Sequence, residues 1–117
     1  MAYLSSADKT FFKENGYLVK RDTLTREQIC NAQDALWEGI EADRNDPQTW
    51  IGAQPRVPIP GSHPALRSIL YESPIFAMAE EMVGQDRLAR VADPGPHLVY
   101  PSGNEEWALS PRGHLDS

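Results

Sequence analysis

The chain has 117 residues, the length of one small domain, and a second core would need more chain than this. Its 11 basic and 17 acidic residues leave a formal charge of -6 and an isoelectric point near 4.9, so it lacks the basic footprint that phosphate backbones require and is expected to bind neither nucleic acid nor anionic membranes. The single cysteine, Cys30, leaves no internal disulfide and no thiolate pair for zinc. Nothing at the start reads as a signal peptide, and no stretch approaches the ~20 apolar residues of a membrane span, so a cytoplasmic chain is expected.

All ten prolines lie at or beyond Pro47, which leaves the first part of the chain free to be helical. Ser5 or Ser6 is a cap for a short helix through Ala7–Glu14, and Asn15-Gly16 supplies its left-handed end. Tyr17-Leu18-Val19 reads as a short strand. Thr25-Arg26-Glu27-Gln28 has capping-box spacing and opens a second helix, expected to reach Asp43 or Arg44, with Ile29, Ala32, Leu36 and Ile40 on its apolar stripe. A Pro-rich connection over 47–61 follows. Pro64 then opens a helix through Tyr71, and Ser73-Pro74 opens another that ends at Gly84 and buries Ile75, Met78, Ala79, Met82 and Val83. Residues 1–46 and 62–84 are thus expected to be mainly helical.

From 85 to 117 the texture changes to short apolar runs cut by turns. Leu88–Ala92, His97–Tyr100 and Trp107–Leu109 are expected strands, separated by Asp93-Pro94-Gly95 and Pro101-Ser102-Gly103-Asn104. The predicted class is α+β, a helical layer leading into the opening strands of an antiparallel sheet. Three or four strands neither close a barrel nor stack two sheets, so the 117 residues are read as a single partial domain.

The last strand would carry Gly113-His114-Leu115-Asp116-Ser117. On a strand His114 and Asp116 share one face and Leu115 takes the other, so an imidazole and a carboxylate converge. These are two of the three donors of a 2-His-1-carboxylate iron(II) site. With three His and eight Asp in the chain, about 0.2 His-x-Asp matches are expected by chance, so the context must carry the motif.

That context resembles the amino-terminal half of the phytanoyl-CoA dioxygenase family. Phe11-Phe12-Lys13-Glu14-Asn15-Gly16-Tyr17-Leu18-Val19 and Leu24-Thr25-Arg26-Glu27-Gln28-Ile29 are similar to the family's opening. His63-Pro64-Ala65-Leu66 and Met82-Val83-Gly84 are similar to its middle helices, and Gly113-His114-Leu115-Asp116 to its metal motif. The resemblance implies a double-stranded β-helix (a cupin-like jelly roll), incomplete in this chain. It implies an Fe(II)- and 2-oxoglutarate-dependent dioxygenase that hydroxylates a small molecule, with His114 and Asp116 as metal ligands. The family's distal His and the Arg that pairs with 2-oxoglutarate have no counterpart here, so the isolated chain is expected to be inactive. Asp116 favours hydroxylation over halogenation, which needs a small residue in place of that carboxylate.

Other residues have plainer readings. His97 is a second candidate ligand on a preceding strand, and His63 is a helix-start residue. Ile75, Met78 and Met82 are core, as are Phe11, Phe12, Tyr17 and Trp37, while Glu80-Glu81 and Glu105-Glu106 are solvated faces. Glu105, Glu106 and Trp107 also lie near the motif, where they would line a substrate entrance. A different class of function is a catalytically silent module that pairs with a partner chain, or with itself, through unpaired strands after Leu88.

Overall fold

The computed structural model describes residues 2–53, 59–91, 95–104 and 106. Among them are four helices, α1 (Ser6–Asn15), α2 (Arg26–Glu38), α3 (Pro64–Tyr71) and α4 (Ile75–Val83), and one 3₁₀ turn, Pro47–Trp50.

Each helix start is built by side chains within three residues of it. At α1 the Ser5 hydroxyl accepts from the Asp8 N–H at 3.1 Å while Asp8 Oδ2 accepts from the Ser5 N–H at 2.9 Å, a capping box with a short acid in its third position. Gly16, at φ 79°, ends α1 and donates its N–H to the Phe12 carbonyl at 2.7 Å. Thr25 and Gln28 form the second box, at 3.1 and 3.0 Å. His63 caps α3 by accepting the Ala65 N–H on Nδ1 at 3.2 Å. Ser73 joins the last two helices, donating to the Ile69 carbonyl at 2.5 Å and accepting from the Ile75 N–H at 3.2 Å.

α2 is shorter than expected, ending at Glu38 rather than near Asp43. Gly39 follows, where helix propensity is poor, and the Ile40 N–H turns back to the Trp37 carbonyl at 3.2 Å. The next backbone groups are taken by another element. Asp43 donates its N–H to Thr49 Oγ1 at 2.8 Å, and its carbonyl accepts the Trp50 indole N–H at 2.6 Å. Asp46 accepts from the Gln48 N–H at 3.1 Å and starts the 3₁₀ turn with Pro47 in its first position. A helix through Asp43 and this turn would compete for the same groups.

α2 packs on α3, and α3 on α4. Among the described residues, Leu4, Ala32, Ala35 and Leu66 are the buried hydrophobics. The α2 face is therefore narrower than its expected stripe. Ala32 and Ala35 are buried, Leu36 and Ile40 are half-buried, and Ile29 is 41% exposed. On α4, Ile75, Met78 and Met82 are half-buried instead of buried, and Ala79 and Val83 are exposed. Ile75, Met78, Ala79 and Met82, together with Leu4, Phe12 and Leu18, line an open groove of about 340 Å³ between α1 and α4.

The α+β expectation is contradicted: no strand occurs among the described residues. Tyr17–Val19, residues 88–91 and His97–Tyr100 have no ladder partner, so the opening strands of a double-stranded β-helix are not present there, and the described fold is helical. Exposure does alternate from Pro96 to Tyr100, with His97 and Val99 outward and Leu98 and Tyr100 inward. Alternation shows which side is covered, not what pairs with the backbone. Pro96 and Pro101 have no N–H to give a ladder. The Val91 carbonyl is taken by side chains, the Tyr71 hydroxyl at 2.8 Å and Arg67 Nη1 at 3.4 Å. The expected strand Trp107–Leu109 lies outside the described residues.

Candidate functional site

His114 and Asp116 lie outside the described residues, as do Glu105 and Trp107; Glu106 is described and exposed. Of the remaining histidines, His63 is engaged at the start of α3, and His97 is exposed on the segment 95–104. No group of three or more His, Cys, Asp and Glu side chains close enough to hold a metal occurs among the described residues. The donor types at 114 and 116, an imidazole nitrogen and a carboxylate oxygen, suit iron(II).

The described helices α2 and α3 form a cleft that carries several chemistry-bearing side chains. Its volume is about 510 Å³, and Asp34, Glu38, Glu72 and His63 stand along it with Ala35 and Ser68. One carboxylate is already engaged, since Arg44 Nη1 donates to Asp34 Oδ1 at 2.6 Å. One wall of the cleft is fixed by Gln28, whose Nε2 donates to the Ser68 carbonyl at 3.2 Å, to Ser68 Oγ at 3.3 Å and to the Glu72 carbonyl at 3.2 Å. The Ser68 carbonyl also accepts the Glu72 N–H at 3.0 Å, and the Glu72 carbonyl lies just past the α3 C-terminus, where carbonyls run out of partners within the helix. The Oε1 of the same amide accepts from the Thr25 N–H at 3.0 Å. The capping box was legible in the sequence, whereas the reach to α3 was not.

Glu81 departs furthest from its sequence reading as a solvated acid. Its carboxylate accepts from the Tyr3 N–H at 2.6 Å and the Leu4 N–H at 3.1 Å, and Lys9 Nζ lies 3.7 Å away. The Tyr3 N–H is the main cause that holds this carboxyl below its ordinary value; partial burial opposes it, and Leu4 and Lys9 assist. The contact ties the chain start to α4. Asp8 is lowered likewise, first by the Ser5 backbone N–H, then by the Ser5 hydroxyl, then by Lys20, whose Nζ is 3.1 Å away.

At the far end of α3, the Arg90 guanidinium lies 4.8 Å from the Tyr71 ring centre and 5.0 Å from that of Phe76, and Arg67 lies 5.0 Å from Tyr71. These cation–π contacts, with the Tyr71–Val91 bond, hold residues 90–91 against α3 and α4.

Among the described residues, no helix is long and apolar enough to cross a membrane. Compared with known proteins, the chain matches no family model, no curated protein and no solved structure.

Proposed function

We propose that the chain carries the helical part and two metal ligands, His114 and Asp116, of an Fe(II)- and 2-oxoglutarate-dependent oxygenase that hydroxylates a small molecule. The observation that carries this reading is the Gly113-His114-Leu115-Asp116 motif, preceded by segments like those of the phytanoyl-CoA dioxygenase family. Four quoted segments coincide with built features: the left-handed Gly16, the Thr25–Gln28 box, the His63 cap and Gly84 after α4. When bound with 2-oxoglutarate, iron would supply the oxidant for hydroxylation of a C–H bond. His114 contributes a neutral nitrogen donor and Asp116 an anionic oxygen donor, which also offsets the charge of the cation.

The test is turnover of 2-oxoglutarate by the complete gene product. Asp116→Ala removes the charged donor, so succinate formation should collapse, whereas Leu115→Ala, which removes no donor, should retain it at matched folded fraction. Equal losses in the two variants would contradict the assignment. The competing reading, a catalytically silent module that associates with a partner chain through unpaired strands after Leu88, predicts no turnover in the parent or in either variant.

A further inference from the structure

The space best suited to a small molecule lies elsewhere. Leu36, Trp37 and Ile40 form one wall of a pocket of about 220 Å³, Trp50 adjoins them, and Leu98 and Tyr100 stand opposite. Both sides are tied without any occupant. The Trp50 indole is fixed by its bond to the Asp43 carbonyl at 2.6 Å, and its ring centre is 5.7 Å from that of Trp37. Across from it, the Gly52 N–H donates to the Pro101 carbonyl at 2.9 Å. Ile51 also packs so closely on Gly103 that a Cβ there would stand 2.7 Å from Ile51 Cγ2. The segment 98–101 is therefore anchored at its end while a gap remains between it and α2.

The chemistry of the lining selects the occupant. No charged side chain lines the pocket, so an ionised ligand would lose its hydration without a partner. A dry cavity of roughly 150 Å³ lined by Leu, Ile and Phe accepts benzene. The larger volume here fits a fused pair of rings, and two indoles, Trp37 and Trp50, are part of the lining, where an aromatic guest gains ring–ring contact. We propose that this pocket binds an uncharged, planar, bicyclic aromatic small molecule. The inference is independent of iron and of residues 114 and 116.

The experiment is a titration of the ¹⁵N-labelled chain with indole, read at the indole N–H signals of Trp37 and Trp50 and at the amides of residues 98–100. Saturable one-to-one shifts at these sites are expected. Leu98→Trp fills the gap and should weaken binding by about tenfold or more, while Val83→Ala, at an exposed side chain of α4 outside the pocket, should change it by less than about twofold. Should Leu98→Trp fail to fold, Leu98→Ala serves instead: it enlarges the pocket and should move the preference from indole towards 3-methylindole. Shifts that rise linearly to the solubility limit of indole, that are equally large around the α1–α4 groove, or that ignore both Leu98 substitutions would overturn the proposal.

Discussion

Gln28 and Ser68 join α2 to α3 through one amide: Nε2 of Gln28 donates to both the carbonyl and the hydroxyl oxygen of Ser68, at 3.2 and 3.3 Å. The same side chain completes the α2 capping box through its oxygen. One residue therefore serves a local role and a tertiary role, and substitutions can separate them.

Gln28→Glu keeps an acceptor for the Thr25 N–H but turns a donor into an anion facing the Ser68 and Glu72 carbonyls. Gln28→Ala loses both roles. Urea unfolding should show Gln28→Ala destabilised by about 1–2 kcal/mol, with Gln28→Glu no better despite its intact cap. If Gln28→Glu matched the parent chain, the bridge to α3 would contribute nothing.

Stability should fall with acid through Glu81 and Asp8. Both carboxyls sit below their ordinary values in the fold. Their contribution is complete above the unfolded-state values of 4.5 and 3.8 and is lost as pH drops through the lower folded-state values. Unfolding measured from neutral pH into this acid window should show the loss, and Glu81→Gln should flatten its upper part. A slope identical in Glu81→Gln and the parent would show that the Tyr3 and Leu4 contacts do not favour the ionised form.

The α3 cap is testable by chemical replacement. His63→Ala leaves the Ala65 N–H without its acceptor and should cost about 1 kcal/mol, whereas His63→Asn, a strong capping residue, should restore most of it. Equal losses in both variants would mean that His63 acts through packing and not through Nδ1.

Gly103 combines a positive φ of 77° with close contact to Ile51. Gly103→Ala should destabilise the 98–103 segment by about 1–2 kcal/mol, from the left-handed backbone and the clash together. Adding Ile51→Ala should recover the steric share and leave the backbone share. Hydrogen exchange at the Gly52 amide, which donates to Pro101, reads this locally.

What was legible in the sequence is what is decided within a few residues. The Ser5 cap, the Thr25–Gln28 box, the Gly16 terminus and the prolines at 64 and 74 are short-range devices, and the helix starts stand where they indicate. The errors lie where a partner distant in sequence decides. Trp50 takes the Asp43 carbonyl and α2 stops early; Glu81 reaches Tyr3 and Leu4 instead of solvent. Leu98 and Tyr100 alternate with Val99 as a strand would, yet no second strand meets them among the described residues. Periodicity reports a covered side, and a helix can cover it as well as a sheet. His114 and Asp116 fall outside the described residues, so the motif rests on its chemistry and its sequence context.

The most direct test of the central claim is where a divalent metal settles on this chain. Manganese(II), an oxygen-insensitive stand-in for iron(II), broadens amide signals near its site, and 2-oxoglutarate is added to supply the remaining oxygen donors. The account predicts substoichiometric broadening centred on residues 113–117, abolished by His114→Ala and by Asp116→Ala and retained in Leu115→Ala. Broadening centred on the α2–α3 cleft at Asp34, Glu38 and Glu72, or unchanged by the substitutions at 114 and 116, would contradict it.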